Sequence, residues 1–325
     1  MADIFSSVIF STDFIFMWIR VATPIIFPAL GAVICIRAGV VNVGLEGIML
    51  CSALFGVLGG AFGGHLVWGI LAGLGMAVLI SLVYAYFHLN LRANTVLCGA
   101  AINTFAVGFT VFVLYHITGE RGGSLALRSF SFPTINIPII ENIPIIGAVL
   151  SGHNFLVYFA LLMVVVVTFI LFKTPLGLRI RSVGENPRAA TSVGVNVIRV
   201  RYMAIVLCGI LTGFGGMFMS MGYLNWFTRD MVAGRGFIGL AASAMGQSNP
   251  IGAFVSSMVF AFFDGLSNIL QVLPIPSEFI QMVPYIATIA GLTIFSIQQA
   301  RREKRRKMSQ AKRGFESESL ASSDT

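Results

Sequence analysis

Charge is scarce in this 325-residue chain: Asp, Glu, Lys and Arg make up 10% of it, against 57% hydrophobic residues and a mean hydropathy of +0.89. Soluble domains carry about a quarter charged residues, so this deficit excludes an ordinary water-soluble fold. Cysteine is sparse too. Cys35, Cys51, Cys98 and Cys208 all lie in apolar runs and form no CxxC pair, which argues against a zinc site or a disulfide framework and reads as small packing residues. The four histidines, His65, His88, His116 and His153, sit near the ends of apolar runs without metal-ligand spacing, and no nucleophile–base pair stands out. That disfavours an integral membrane enzyme. No G-x-x-x-x-G-K-[ST] occurs, so the chain carries no phosphate-cradling loop of its own. The start, MADIFSSVIFSTDF, lacks the basic region of a secretory signal and Arg20 interrupts the first apolar run, so no cleaved peptide is expected.

What the chain does have is apolar runs of membrane-crossing length. A hydrocarbon core of about 30 Å needs about 20 apolar residues as a helix, and every backbone polar group inside it must be satisfied internally. Long, unalternated runs fit helices better than barrel strands, so the expected fold is an all-α polytopic bundle of about 8–9 spans, including short or broken helices. The expected spans are 14–36, 40–60, 66–87, 95–117, 154–172, 200–222, 251–273 and 281–298, with a ninth, shorter stretch at 236–246 that reads as a half-helix. Of the 21 basic residues, eight follow Ala300 and six lie between Lys173 and Arg201, which places both regions in the cytoplasm by the positive-inside rule. Counting back puts the loop 118–153, with Arg121 and Arg128 its only Lys or Arg residues, and the N-terminus outside, and requires the 236–246 stretch to cross. The domain division expected is 1–300 for the membrane part, with a structured cytoplasmic loop at 174–199. A basic, disordered cytoplasmic tail follows at 301–325.

The loop TPLGLRIRSVGENPRAATSVGVN, Thr174 to Asn196, is punctuated like a folded element. Asn186 and Pro187 signal a helix start, RAATSVG forms a short body, and Gly194 a stop. Read from residue types alone it is an amphipathic connector drawn to lipid headgroups by Arg179, Arg181 and Arg188, or a docking helix for a cytoplasmic partner. With the following NVIRVRYMAIVLCGILTGFGGMF, it resembles the cytoplasmic coupling region of ABC importer permeases of the branched-chain amino acid, simple sugar and nucleoside class. The resemblance implies a type II-like permease architecture and a short helix seated in a cleft of a separate ATP-hydrolysing subunit. It implies docking through Gly184, Glu185, Asn186, Pro187, Arg188, Ala189, Ala190 and Gly194.

A second segment, RAGVVNVGLEGIMLCSALFG from Arg37, resembles the G-x-x-N-x-G-x-E-G pattern of permeases that work with purine-nucleoside-binding lipoproteins. Asn42 and Glu46 are four residues apart, hence on one face if this stretch is helical, and Gly39, Gly44 and Gly47 allow close approach or a broken helix. An ionisable group in a span faces a cavity or a partner, so Glu46 reads either as a path-lining group or as a structural anchor. Asp264, Asn268 and Gln271 repeat a polar face in a later span, and Asn103 adds an amide in another, which reads better as a packing contact. The translocation path expected from these is Asn42, Glu46, Asn103, Asp264 and Asn268. The GxxxG pairs Gly56/Gly60, Gly69/Gly73 and Gly209/Gly213 read as helix-packing faces, and the glycine-interrupted segments in both halves suggest a path between them.

The expectation is therefore a nucleoside permease subunit of an ATP-driven importer in a bacterial cell membrane, itself not an enzyme. It binds no cofactor, because ATP and Mg belong to the ATPase partner. Further partners implied are a second homologous permease, more a heterodimer than a homodimer, and an extracytoplasmic binding protein, with lipid but no nucleic acid. Simple sugars or branched-chain amino acids are the alternative substrates, and a stand-alone secondary transporter the alternative mechanism.

Overall fold

A computed structural model of the chain describes residues 11–120, 122–125, 127, 129–136, 146–271, 282–284, 286–291, 293 and 297. Arg121, Arg128 and the basic tail 301–325 lie outside the described residues, as does part of the expected span 281–298. Among the described residues the fold is carried by helices α1 (Thr12–Arg37), α2 (Leu45–Gly63), α3 (Leu66–Ala85), α4 (Thr95–Thr118), α5 (Ile146–Leu150), α6 (Phe155–Lys173), α7 (Pro175–Glu185), α8 (Pro187–Ser192), α9 (Val197–Met217), α10 (Arg235–Met245) and α11 (Pro250–Leu270). Wide π turns extend α3 through Asn90 and α9 through Tyr223, and a short apolar helix follows at Met282–Gly291. Seven of these, α1, α2, α3, α4, α6, α9 and α11, are long and apolar enough to cross a membrane. The strands β1 (Thr134–Ile135) and β2 (His153–Asn154) pair antiparallel as the only sheet among the described residues.

Helix α1 is the centre of the bundle. Its residues from Val21 to Cys35 are all buried, enclosed by α9, α10 and α11, and Trp18 donates its indole N–H to the Met258 carbonyl of α11 at 2.7 Å. Helices α3, α4 and α6 instead leave one side bare and apolar, with Leu71, Leu97, Phe112 and Val165 more than half exposed. In lipid that exposure costs nothing, because acyl chains are as apolar as the side chains they meet.

Lipid supplies no hydrophobic drive between helices, so close packing must do so, and the glycine pairs supply it within the chain. A Cβ on Gly69 would lie 2.7 Å from the Gly56 carbonyl, and one on Gly59 2.7 Å from the Trp68 carbonyl, so α2 and α3 touch backbone to backbone. Gly209 and Gly213 make room for the Ser81 and Ala77 side chains of α3.

Two sequence expectations change. The second span starts at Leu45, not at Val40: Ala38 to Gly44 is non-helical, with Gly39 at φ +77°. Asn42 therefore does not share a helix face with Glu46. The half-helix α10 has only 11 residues, about 16 Å, yet the chain still runs from one end of the bundle to the other around it. Thr228 bridges to Gly123 beside the loop after α4, whereas Ser248, just past α10, lies against Arg37 at the opposite end of α1. The stretch Leu224 to Asn249 thus runs from one end of the bundle to the other, part as loop and part as helix.

Candidate functional site: a capped loop at one end and a half-helix held by Glu46

The loop after α6 folds because each helix start is capped by its own sequence. The Thr174 hydroxyl accepts from the Gly177 N–H at 3.2 Å, with Pro175 next in line, and Asn186 Oδ1 accepts from the Ala189 N–H at 3.1 Å, followed by Pro187. Asn196 Oδ1 accepts from Arg199 N–H at 3.0 Å to start α9. Such caps satisfy N–H groups that have no partner in the helix, and proline at the first position loses none. Gly194, at φ +82°, ends the turn, and the Val195 N–H returns to the Ala190 carbonyl at 3.0 Å.

The loop is seated on the bundle through one face. Gly177, Ile180 and Val183 of α7 are buried, Gly177 lying directly on the Ile170 carbonyl and Gly184 directly on the Arg37 carbonyl. Ala190 is 3% exposed and belongs to the core. Of the residues expected to dock, Ala190 is therefore turned into the bundle, and Gly184 rests on α1. A six-residue helix lying on a bundle must turn one side inward, and at about 100° per residue Ala190 takes the inward side while Ala189 faces out. The outward surface is made of Glu185, Asn186, Arg188, Ala189, Ser192 and Gly194, joined by Val193, which is 77% exposed. Sequence reasoning passed over Val193. An apolar residue beside the helix stop of a polar loop was the available signal.

The second assembly is built where α2 starts and α10 starts. Glu46, 8% exposed, accepts from the Gly234 N–H on Oε1 at 2.7 Å and from the Gly236 N–H on Oε2 at 2.8 Å. A carboxylate on the first N–H groups of a helix is a charge-assisted cap at the positive end of the helix dipole. Gly236 has to be glycine: a Cβ there would fall 2.7 Å from the Glu46 backbone nitrogen.

Asn103 and Asn42 serve the unwound segment before α2. Asn103 Oδ1 accepts from the Gly47 N–H at 2.8 Å and its Nδ2 donates to the Val43 carbonyl at 3.0 Å. Asn42 Oδ1 accepts from the Gly44 N–H at 2.9 Å, and the Tyr84 hydroxyl donates to the Val41 carbonyl at 2.8 Å. Non-helical backbone at membrane depth persists only when its polar groups are met in this way.

Asp264 and Asn268 lie together elsewhere. Asp264 Oδ2 accepts from the Arg235 guanidinium at 3.0 Å, the one ion pair among the described residues, and both side chains are less than a fifth exposed. This pair edges a cavity of about 240 Å³ that Asn268, Gln271, Ser267 and Ile238 also line. Of the five residues expected to form one path, then, Asp264 and Asn268 border a cavity, whereas Asn42 and Asn103 bind backbone. Glu46 holds the helix start from which Arg235 reaches the cavity. Arg235 was missed by sequence reasoning, because a lone arginine between glycines carries no periodic signal.

Comparison with known proteins bears on what such an arrangement does. Residues 14–292 match the family described as branched-chain amino acid transport system, permease component. The chain is 38% identical over 285 residues to the nucleoside ABC transporter permease protein NupC of Lactococcus lactis subsp. cremoris, covering 84% of this chain and 89% of that one. It is 39% identical over 285 residues to the guanosine ABC transporter permease protein NupQ of Bacillus subtilis, with the same coverage of 84% and 89%. A second permease of the Lactococcus organism, the nucleoside ABC transporter permease protein NupB, is 24% identical over 304 residues, covering 86% of this chain and 79% of that one. The match to the family over most of the chain, together with seven membrane-length helices, means that this chain is a multi-pass membrane protein belonging to the branched-chain amino acid transport system permease family.

Proposed function

We propose that the chain is the nucleoside-conducting permease subunit of an ATP-driven importer in a bacterial cell membrane. The observation that carries the substrate class is the 38–39% identity, over 84% of the chain, to permeases named for nucleoside and for guanosine. ATP and Mg are bound by a separate ATPase subunit that docks on the capped loop, gripping the face formed by Glu185, Asn186, Arg188, Ala189 and Gly194. Pro187 starts the helix there, and Gly184 and Ala190 fix it to the bundle. Three successive side-chain caps make this loop stiff enough to act as one body, which a nucleotide-driven closure needs.

A second homologous permease completes the pore, and a heterodimer is the favoured form. Two permeases of one organism, NupC and NupB, both match this chain while differing widely in identity, 38% against 24%. An extracytoplasmic binding protein delivers the substrate. The path runs beside the N-terminus of α10, where Asp264 and Asn268 face the cavity and Glu46, Asn42 and Asn103 hold the broken helices that shape it. Broken helices at the interface between halves are where transporters place their sites.

The test is uptake of labelled guanosine into proteoliposomes holding the permeases and ATPase, with binding protein outside and ATP inside. ATP-dependent guanosine uptake, competed by other nucleosides, is expected. Uptake of a simple sugar or leucine in its place would overturn the substrate class, and uptake without ATP would make the chain a secondary transporter.

A further inference from the structure

At the end of the bundle that carries the capped loop, three separate segments converge on Arg37. Its carbonyl receives Gly184, one residue before the end of α7, in direct backbone contact. Its guanidinium Nε donates to the Ser248 carbonyl at 2.7 Å, in the turn that closes α10. That turn is unusual: Gln247 and Ser248 are both non-glycine residues in the left-handed region, at φ +55° and +53°. Such residues are strained and persist where neighbours hold them. The Arg37 guanidinium also lies 5.8 Å from the Phe172 ring at the end of α6, beside the Arg181 guanidinium at 5.3 Å from the same ring.

Between these contacts lies a cleft of about 260 Å³, lined by Arg37, Arg181, Glu185, Gln247 and Ser248. The Arg37 side chain is the hydrogen-bonded link across it among the described residues. Arg181 does not duplicate it, since its buried Nε has no partner there.

From Ser248 the connection is continuous. The Ser248 N–H returns to the Ser243 carbonyl at 3.0 Å, and Gly246 packs directly on Ala253 of α11. Helix α10 then leads to Gly236 and Gly234, whose N–H groups hold Glu46, and to Arg235, which holds Asp264.

We propose that Arg37 is the positioning residue that transmits displacement of the α7–α8 loop to the half-helix α10, and through α10 to the cavity at Asp264. The proposal rests on the reading of that loop as the ATPase dock. Arg37 touches neither the docking face nor the cavity; it acts by tying the C-terminal end of α10 to the point where α7 bears on α1. A charged donor on a carbonyl is a strong link that an amide or an ammonium reproduces only in part.

The test uses the full complex in proteoliposomes, with ATP hydrolysis and labelled guanosine uptake measured together. Arg37→Gln is expected to keep the ATPase bound and hydrolysing while uptake per ATP falls at least tenfold, and Arg37→Lys to recover part of the loss. Unchanged uptake per ATP in Arg37→Gln would overturn the proposal. Loss of ATPase association would also overturn it, by making Arg37 part of the dock. Should the Arg37 variants fail to fold, an Arg181→Cys/Gln247→Cys pair, outside the docking face and bridged across the cleft by a flexible bis-maleimide, decides. Arrest of uptake on bridging supports the link, and undiminished uptake overturns it. Ala189→Arg separates the two ideas: if it leaves ATPase association intact, the docking reading fails, whatever Arg37 does.

Discussion

The Glu46 carboxylate accepts the Gly236 backbone N–H at 2.8 Å, across 190 residues of sequence, and the Gly236 Cα lies so near the Glu46 backbone that no Cβ fits between them. One side chain thus fixes where the half-helix α10 begins, and with it where Arg235 and Asp264 meet. In Glu46→Gln one amide oxygen can still accept, but the NH2 group then faces the second N–H. Loss of one charge-assisted hydrogen bond costs about 2 kcal/mol. The expected outcome is a folded protein with a lower melting temperature in detergent and reduced uptake, with ATPase association unaffected. Glu46→Gln with wild-type stability and uptake would remove Glu46 from both roles.

The two neighbouring alanines of the capped loop should behave oppositely. Ala189 faces out and Ala190 is 3% exposed in the core. Ala189→Arg is expected to leave the permease as stable as the parent while abolishing co-purification with the ATPase. Ala190→Arg should lower permease stability itself, by the few kcal/mol that a buried unpaired charge costs even after local rearrangement. Val193→Asp is expected to weaken association without affecting permease stability. Equal stability of the two arginine variants would contradict the inward face assigned to Ala190.

Orientation can be checked at two exposed positions. Leu125, in the loop that bridges to Thr228, is 58% exposed, and Ser192 is exposed at the end of α8. Ser124 is unsuitable because it is fully buried, its hydroxyl accepting the Phe227 N–H at 2.9 Å. Leu125→Cys should react with an impermeant maleimide from outside and Ser192→Cys only after the inner face is opened. Labelling in the reverse pattern would invert the topology.

His153 predicts a pH dependence of stability. The residue is 2% exposed and its ring stacks on Phe16 at 3.9 Å, in the paired segment preceding α6. Burial holds its pKa below the usual histidine range; its hydrogen bond to the Val149 carbonyl opposes this, and the Arg20 charge adds to it. The folded state keeps the ring neutral, while the unfolded chain takes up a proton at about pH 6.5. This contribution to stability is therefore present above about pH 6.5 and is lost as the pH falls from there toward the depressed folded value. Melting measured from pH 8 to pH 5 should show that loss, and His153→Asn should flatten it. An equally steep decline in His153→Asn would assign the effect to another group.

Whatever depends on neighbours in sequence was legible without the fold. Hydropathy fixes where long helices must form, because lipid leaves the backbone no other partner. The caps at Asn186–Pro187 and Gly194 are local hydrogen-bond chemistry, so their residue types announce them. What the tertiary structure decided is everything that needs a distant partner. By spacing Asn42 and Glu46 share a helix face, yet the helix starts at Leu45, because Asn103 and Tyr84 from other helices meet the backbone of the unwound stretch. Glu46 meets Gly234 and Gly236, Arg235 meets Asp264, and Arg37 meets Ser248, only because α1, α2, α10 and α11 pack together. Ala190 turns inward and Ala189 outward by the seating of a short helix on the bundle. Residue type states that a buried polar group must find a partner; which partner it finds is set by the helices that the packing brings alongside.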